Sequence, residues 1–284
     1  MKSFSFKLLC LLGVLAHISS GFAQVSNVLD GAYVKESNIT KRVIPYPHLR
    51  EADVMYTKRV WQRMDLREKI NHPYYYPINP IADRKNLFDV VKKALLKDGA
   101  LVAYGTGPTG DDDEFRYPLS RNQIDSVLNP TKRFPKYDLE TNERLPDSIG
   151  TVPVESVKVT SYRLKEDWIW DRQRGERYVR IIGIAPEYEI ETDEGTVPQT
   201  LFWLYYPECR YVLANADAFN PINDAQRRTY EDMFQKRFFN SYIIKESNVY
   251  NRSISAYARG FDALAESERI KHELFLLEHD LWHY

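Results

Sequence analysis

The chain has 284 residues, with 39 Lys+Arg against 40 Asp+Glu, so it carries no bulk field to attract nucleic acid or an anionic membrane. Hydrophobic residues make up 43% and charged residues 28%, a globular balance that excludes a disordered chain and supplies a sizeable core. Twenty Tyr and five Trp suit cores and protein interfaces without naming a chemistry.

Residues 1–23 read as a cleaved secretory signal. Lys2 and Lys7 give a positive start, Leu8 to Ile18 is apolar, and Gly21-Phe22-Ala23 puts small residues at −3 and −1 of a cut before Gln24. The apolar run falls short of the roughly 20 residues that a membrane span needs. Cys10 lies inside that run, too early for a lipoprotein signal. Cleavage leaves Cys209, which reads as a buried, inert thiol and has no partner for an internal disulfide.

Residues 24–48 read as an extended, polar arm ending in Ile44-Pro45-Tyr46-Pro47, which either lies on another surface, such as a neighbouring subunit, or stays mobile. Residues 49–284 read as one α+β domain. Glu51 to Ile70 is predicted as a helix, with Val54, Tyr56, Val60, Trp61 and Met64 on one broad face and Asn71-His72-Pro73 as its stop. Its opposite side carries Arg59, Arg63 and Arg67 at i, i+4 and i+8. Like charges stacked this way repel by a few tenths of a kcal/mol per pair, so the ladder calls for carboxylates, within the subunit or across an interface.

Pro73 to Pro80 holds three tyrosines between prolines and reads as an ordered loop. Asn86 to Lys97 is predicted as a helix ending at Gly99, Leu101 to Tyr104 as a short strand, and Ser120 to Leu128 as a helix stopped by Asn129-Pro130. From Val154 the period becomes two. Val157 to Ile190 reads as a long antiparallel hairpin turning at Arg172-Gln173-Arg174-Gly175, with Trp168 and Trp170 on one face near its tip. Thr200 to Tyr206 and Arg210 to Leu213 read as strands, and Asn223 to Phe239 as a helix. Ile254 to about His283 reads as a long terminal helix with two apolar stripes. Ile270, Leu274, Leu277 and Leu281 form one; Phe261, Leu264, Phe275 and Trp282 form the other. Such a helix needs cover on both sides, from its own domain and from a second chain. The fold class is therefore α+β: an antiparallel sheet with a long hairpin, packed with several helices and a long C-terminal helix.

Several motifs invite a chemistry. Gly105-Thr106-Gly107-Pro108-Thr109-Gly110 fits G-x-G-x-x-G, but Pro108 removes an N–H donor and Asp111 to Glu114 would repel a phosphate. Those four acids lack the alternating spacing of a calcium loop. His272, His279 and His283 share a helical stripe without a designated metal-binding partner set. Glu187, Glu189 and Glu191 alternate along a strand, as on the wet face of a sheet. Read instead as sugar-cleaving acids, Glu187 and Glu189 would work beside a Trp168/Trp170 platform in a periplasmic glycan-binding or glycan-cleaving protein. No cofactor or metal site is assigned, and no catalytic residue. Asn38-Ile39-Thr40 and Asn251-Arg252-Ser253 match the glycosylation triplet.

The string from Glu51 to Pro73, with Val60-Trp61-Gln62-Arg63-Met64-Asp65-Leu66-Arg67-Glu68-Lys69-Ile70-Asn71-His72-Pro73 at its heart, carries a resemblance. It continues through Tyr75-Tyr76-Pro77, Asp83-Arg84-Lys85-Asn86-Leu87-Phe88-Asp89-Val90-Val91 and Tyr162-Arg163-Leu164-Lys165-Glu166-Asp167-Trp168. These segments closely resemble the gliding-motility protein family GldN of the Bacteroidetes, called PorN in non-gliding species. The resemblance implies a non-enzymatic periplasmic component of the type IX secretion system. It further implies a ring built with the outer-membrane lipoprotein PorK (GldK), with self-association within that ring, and contact with the periplasmic part of the motor protein PorM (GldM). Candidate partner-binding residues are Arg59, Arg63 and Arg67, from the family string, and Trp168 and Trp170, which an intradomain core would equally accommodate.

Overall fold

The computed structural model describes residues 41–280, apart from 82–83, 109, 111, 138–143, 193–194 and 224. The expected signal, the arm as far as Thr40 with its Asn38 triplet, and Leu281, Trp282 and His283 lie outside the described residues.

The strands in chain order are β1 (Val54–Asp65), β2 (Ala103–Tyr104), β3 (Thr131–Tyr137), β4 (Arg144–Thr151), β5 (Val159–Asp171), β6 (Glu176–Thr192), β7 (Gly195–Thr200), β8 (Trp203–Tyr205), β9 (Asp217–Ala218), β10 (Arg228–Thr229) and β11 (Tyr242–Glu246). The helices are α1 (His72–Tyr75), α2 (Leu87–Lys93), α3 (Arg121–Leu128), α4 (Tyr206–Leu213), α5 (Tyr230–Gln235) and α6 (Phe261–Asp280). The fold is α+β, as expected. Seven strands form an antiparallel sheet in the order β11-β1-β5-β6-β8-β2, with β7 also paired to β6. The pairs β3–β4 and β9–β10 stand apart from it.

The hairpin β5–β6 is where the alternation placed it. Asp171 pairs with Glu176 across the expected turn, Gly175 takes φ +65, and the Asp171 carboxylate accepts the Gln173 amide at 2.8 Å. α2 starts at Asn86, whose side chain accepts the Asp89 amide, runs into a π turn at Ala94–Asp98, and ends at Gly99 in the left-handed region. Ser120 and Gln123 close a capping box on α3.

Three expected elements are corrected. Across Glu51 to Ile70 the chain forms the strand β1 (Val54–Asp65), with 3-10 turns at Glu51–Asp53 and Lys69–Asn71, and not an α-helix. Val60, Met64 and the polar Gln62 point to one face, Trp61 and Arg63 to the other, and pairing on both edges with β5 and β11 decides the conformation. Gln62 at an inward position hid the alternation, while Lys, Arg, Gln, Met and Glu gave the segment a high helix propensity. Arg210 to Leu213 is helical: Tyr206, Cys209, Arg210 and Leu213 are buried at i, i+3, i+4 and i+7, and Pro207 opens the helix. The helix expected over 223–239 shrinks to α5, because Thr229 and Asp232 form a capping box that starts it there.

The main core lies between one sheet face, with Met64, Tyr162, Leu164 and Ile184, and α1 to α5. A second apolar cluster joins Val60, Trp168, Trp170 and Ile243 to Ile254, Ile270 and Leu274, and so seats α6. The Ser267 hydroxyl on α6 accepts the buried Ile243 amide at 2.9 Å, so α6 also satisfies part of the free edge of β11. Among the described residues the other apolar stripe of α6 is exposed: Phe261 is 82% exposed, and Leu264 and Phe275 are each 55% exposed. Leu277, expected inward, is 40% exposed.

The described part of the arm lies on its own domain. Lys41 pairs with Asp232, the Ile44 carbonyl accepts Arg210 at 2.7 Å, and the Pro47 carbonyl accepts Arg180 at 2.6 Å. The Tyr46 ring stacks on the guanidiniums of Arg210 and Arg180. Residues 41–48 are thus a strap across this domain.

Candidate functional site

A spacing of four is even, so a strand keeps Arg59 and Arg63 on one side just as a helix would. That side of the sheet is charged. Arg59 Nε and Nη2 donate to Asp167 at 2.6 and 2.8 Å across the β1–β5 pair. Arg63 Nε and Nη2 donate to Glu187 at 2.7 and 3.2 Å. Arg67, just past β1, pairs with Glu189. The three carboxylates that the ladder called for are supplied within the subunit. Their interactions differ in weight: Arg59 and Arg67 remain substantially exposed, where such pairs contribute about 0–1 kcal/mol.

Glu187 is different. Its side chain is fully buried, which corrects the reading of this position as a wet face. Arg163 donates to it at 2.9 Å through Nε, and the Ser161 hydroxyl donates at 2.8 Å. Burial pushes the carboxyl upward, but the Arg163 charge and the Arg63 hydrogen bond outweigh it and hold the group below the usual carboxylate range. A carboxylate locked between two arginines has no proton to give and no free lone pair to take one. Glu187, so locked, is not disposed to act as the acid or the base of a sugar-cleaving site.

Next to this clamp, the acidic loop folds down onto the sheet. Asp113 accepts from the Trp61 indole and pairs with Lys165, whose ammonium donates to the Asp113 carbonyl at 2.7 Å. Burial lowers the Lys165 pKa, and Asp113 opposes that shift. Phe115, at φ +59, lays its ring over Gly183, where a Cβ would stand 2.8 Å from the ring edge. The G-x-G-x-x-G segment is followed by this loop and by no helix N-terminus, so it lacks the dinucleotide geometry. Among the described residues no group of His, Cys, Asp and Glu is arranged to hold a metal ion. His272 and His279 flank the Phe275 ring on the outer stripe of α6.

Trp168 and Trp170 are 8% and 1% exposed. They form the seat of α6, with Arg177 stacked on Trp168 and bound to Glu278 near the end of that helix. Trp168 also donates at 3.0 Å to Glu166, a buried carboxylate that collects Gln62 and Arg237 as well. As a surface platform for sugar, the two rings are unavailable. Cys209 is buried, and burial raises its thiol to about 12.

Beside the arginine clamp lies a groove of about 730 Å³. Trp61, Arg63 and Arg163 line it together with Val197, Pro198, β11 residues such as Lys245, and Leu264 of α6. Reading the sequence found the ladder but missed this groove, because Lys245, Val197 and Leu264 come from three distant segments. The buried pair Arg210–Glu231 and the half-buried pair Glu166–Arg237 were missed for the same reason.

No curated protein matches the chain. The family model described as "Gliding motility associated protein GldN" matches residues 49–283. Among the described residues no helix is long and apolar enough to cross a membrane. The chain belongs to the GldN family, whose members are components of the gliding motility and type IX secretion machinery.

Proposed function

We propose that this protein is a periplasmic structural subunit of the type IX secretion machinery. In this reading it assembles into a ring with an outer-membrane lipoprotein of the PorK (GldK) type and contacts the periplasmic part of a PorM (GldM) motor. The observation that carries the reading is the family match over residues 49–283. The surface supports it: an uncovered apolar stripe on α6 and the exposed arginines Arg59 and Arg67 are features of a protein that is met by other proteins. The lipoprotein would hold the subunit at the outer membrane, so no span of its own is required.

Within this reading, Arg59, Arg63 and Arg67 contribute to partner contacts by exchanging or sharing their intrasubunit carboxylates. Trp168 and Trp170 act indirectly, by fixing α6 so that its outer stripe is presented. Deleting the gene should leave the cargo of this secretion route inside the cell, and the wild-type gene should restore export. Unchanged export in the deletion strain would contradict the proposal.

A further inference from the structure

The groove beside the arginine clamp has a charge that its own residues leave unbalanced. Arg63, Arg163 and Lys245 line it, against one lining acid, Asp113. Glu187 beneath neutralises a single charge between two guanidiniums. Asp113 is committed to Lys165 and to the Trp61 indole. Lys245 has no carboxylate within salt-bridge distance among the described residues; its ammonium sits 4.5 Å from the centre of the Trp61 ring. An ammonium held on an indole face is oriented and partly desolvated, and a carboxylate arriving beside it gains more than it would at an open surface.

The rest of the lining mixes aliphatic side chains with Tyr242 and the polar Asn251, Ser253 and Ser255. Val197 is 51% exposed and Leu264 55% exposed, and Pro198 and Ala263 lie beside them. Leu264 belongs to the same uncovered stripe of α6 as Phe261, so the groove opens onto a larger apolar surface. These features favour a peptide over a sugar. A sugar needs an open aromatic face, whereas Trp61 is 7% exposed and capped by Lys245.

We propose that this groove docks an acidic segment of a different polypeptide chain, placing an Asp or Glu against Lys245 and Arg63 and an adjacent aliphatic side chain against Val197 and Leu264. The proposal rests on the reading of the protein as a subunit of a protein complex. It names the face used and the chemistry of the segment that fills it.

Carbodiimide chemistry tests it directly, because it condenses a lysine ammonium and a touching carboxylate into an amide with loss of water. The tagged full chain would be isolated from its own cells in mild detergent, treated with carbodiimide, and digested for mass spectrometry. The expected product joins Lys245 to an Asp or Glu of another protein. Lys245→Arg should abolish that link while the complex survives, and Lys245→Glu should lower the recovered partner at least tenfold. If the complex is recovered but Lys245 is unlinked, or linked only to acids of this chain or of a second copy, the groove proposal fails and the complex stands. If the chain is recovered alone with Lys245 unlinked, both fail.

Discussion

Glu187 shows what a single residue contributes here. Removing its charge leaves Arg63 and Arg163 facing each other across a buried site, and breaking such a pair costs about 3–5 kcal/mol. Glu187→Gln should therefore shift the urea midpoint strongly downward. The pH dependence has a definite sign. The folded carboxyl sits below its ordinary value, so its contribution is present above that value and fades as pH falls through it toward the depressed one. Wild-type stability should drop across that acid window, and the Gln variant should lack this part of the drop. A matching acid profile in both proteins would refute the clamp. Cys209 offers a second test. With its thiol raised to about 12 and its side chain buried, it should resist a disulfide reagent at pH 8 in the folded chain and react in denaturant. The inert Cys209 was legible in the sequence, but the clamp was not: Glu187, Glu189 and Glu191 look alike, and only the neighbouring strands decide that the first is buried.

Among the elements, legibility followed the strength of the local signal. The hairpin β5–β6 had a clean period of two and a glycine turn, and α3 had both a cap and a stop; both were read correctly. β1 was misread because a buried polar Gln62 broke the apolar alternation. The arginine ladder survived that error only because its spacing is even. The terminal helix was read with two apolar stripes, and two positions should now behave oppositely. Leu274 is buried in the cluster that holds Trp168 and Trp170, so Leu274→Ala should cost about 2–5 kcal/mol and raise amide exchange along α6. Phe275, on the outer stripe, should change the stability of the isolated chain by no more than about 0.5 kcal/mol when replaced by Ser. Equal losses at both positions, measured by denaturation and hydrogen exchange, would mean that α6 is not seated as described.

At the scale of the whole molecule, composition set limits and the family string supplied the direction. A near-neutral charge removed nucleic acid as a partner class, but it did not distinguish a scaffold from a glycan-binding protein. The structure separates these readings by removing the residues that the second would need. The tryptophans are core, and the carboxylates are bound to arginine. What remains on the surface is an uncovered helix stripe, a half-committed arginine ladder and a cationic groove. Those are means of meeting other proteins, in keeping with a family of secretion-machinery components.

The central claim is assembly, and mass measures it most directly. Residues 24–284 would be co-expressed with the neighbouring PorK-type lipoprotein, and the product sized by light scattering after gel filtration in mild detergent and near-physiological salt. The account predicts a very large complex with both chains in fixed ratio. Two separate monomers under those conditions would contradict it.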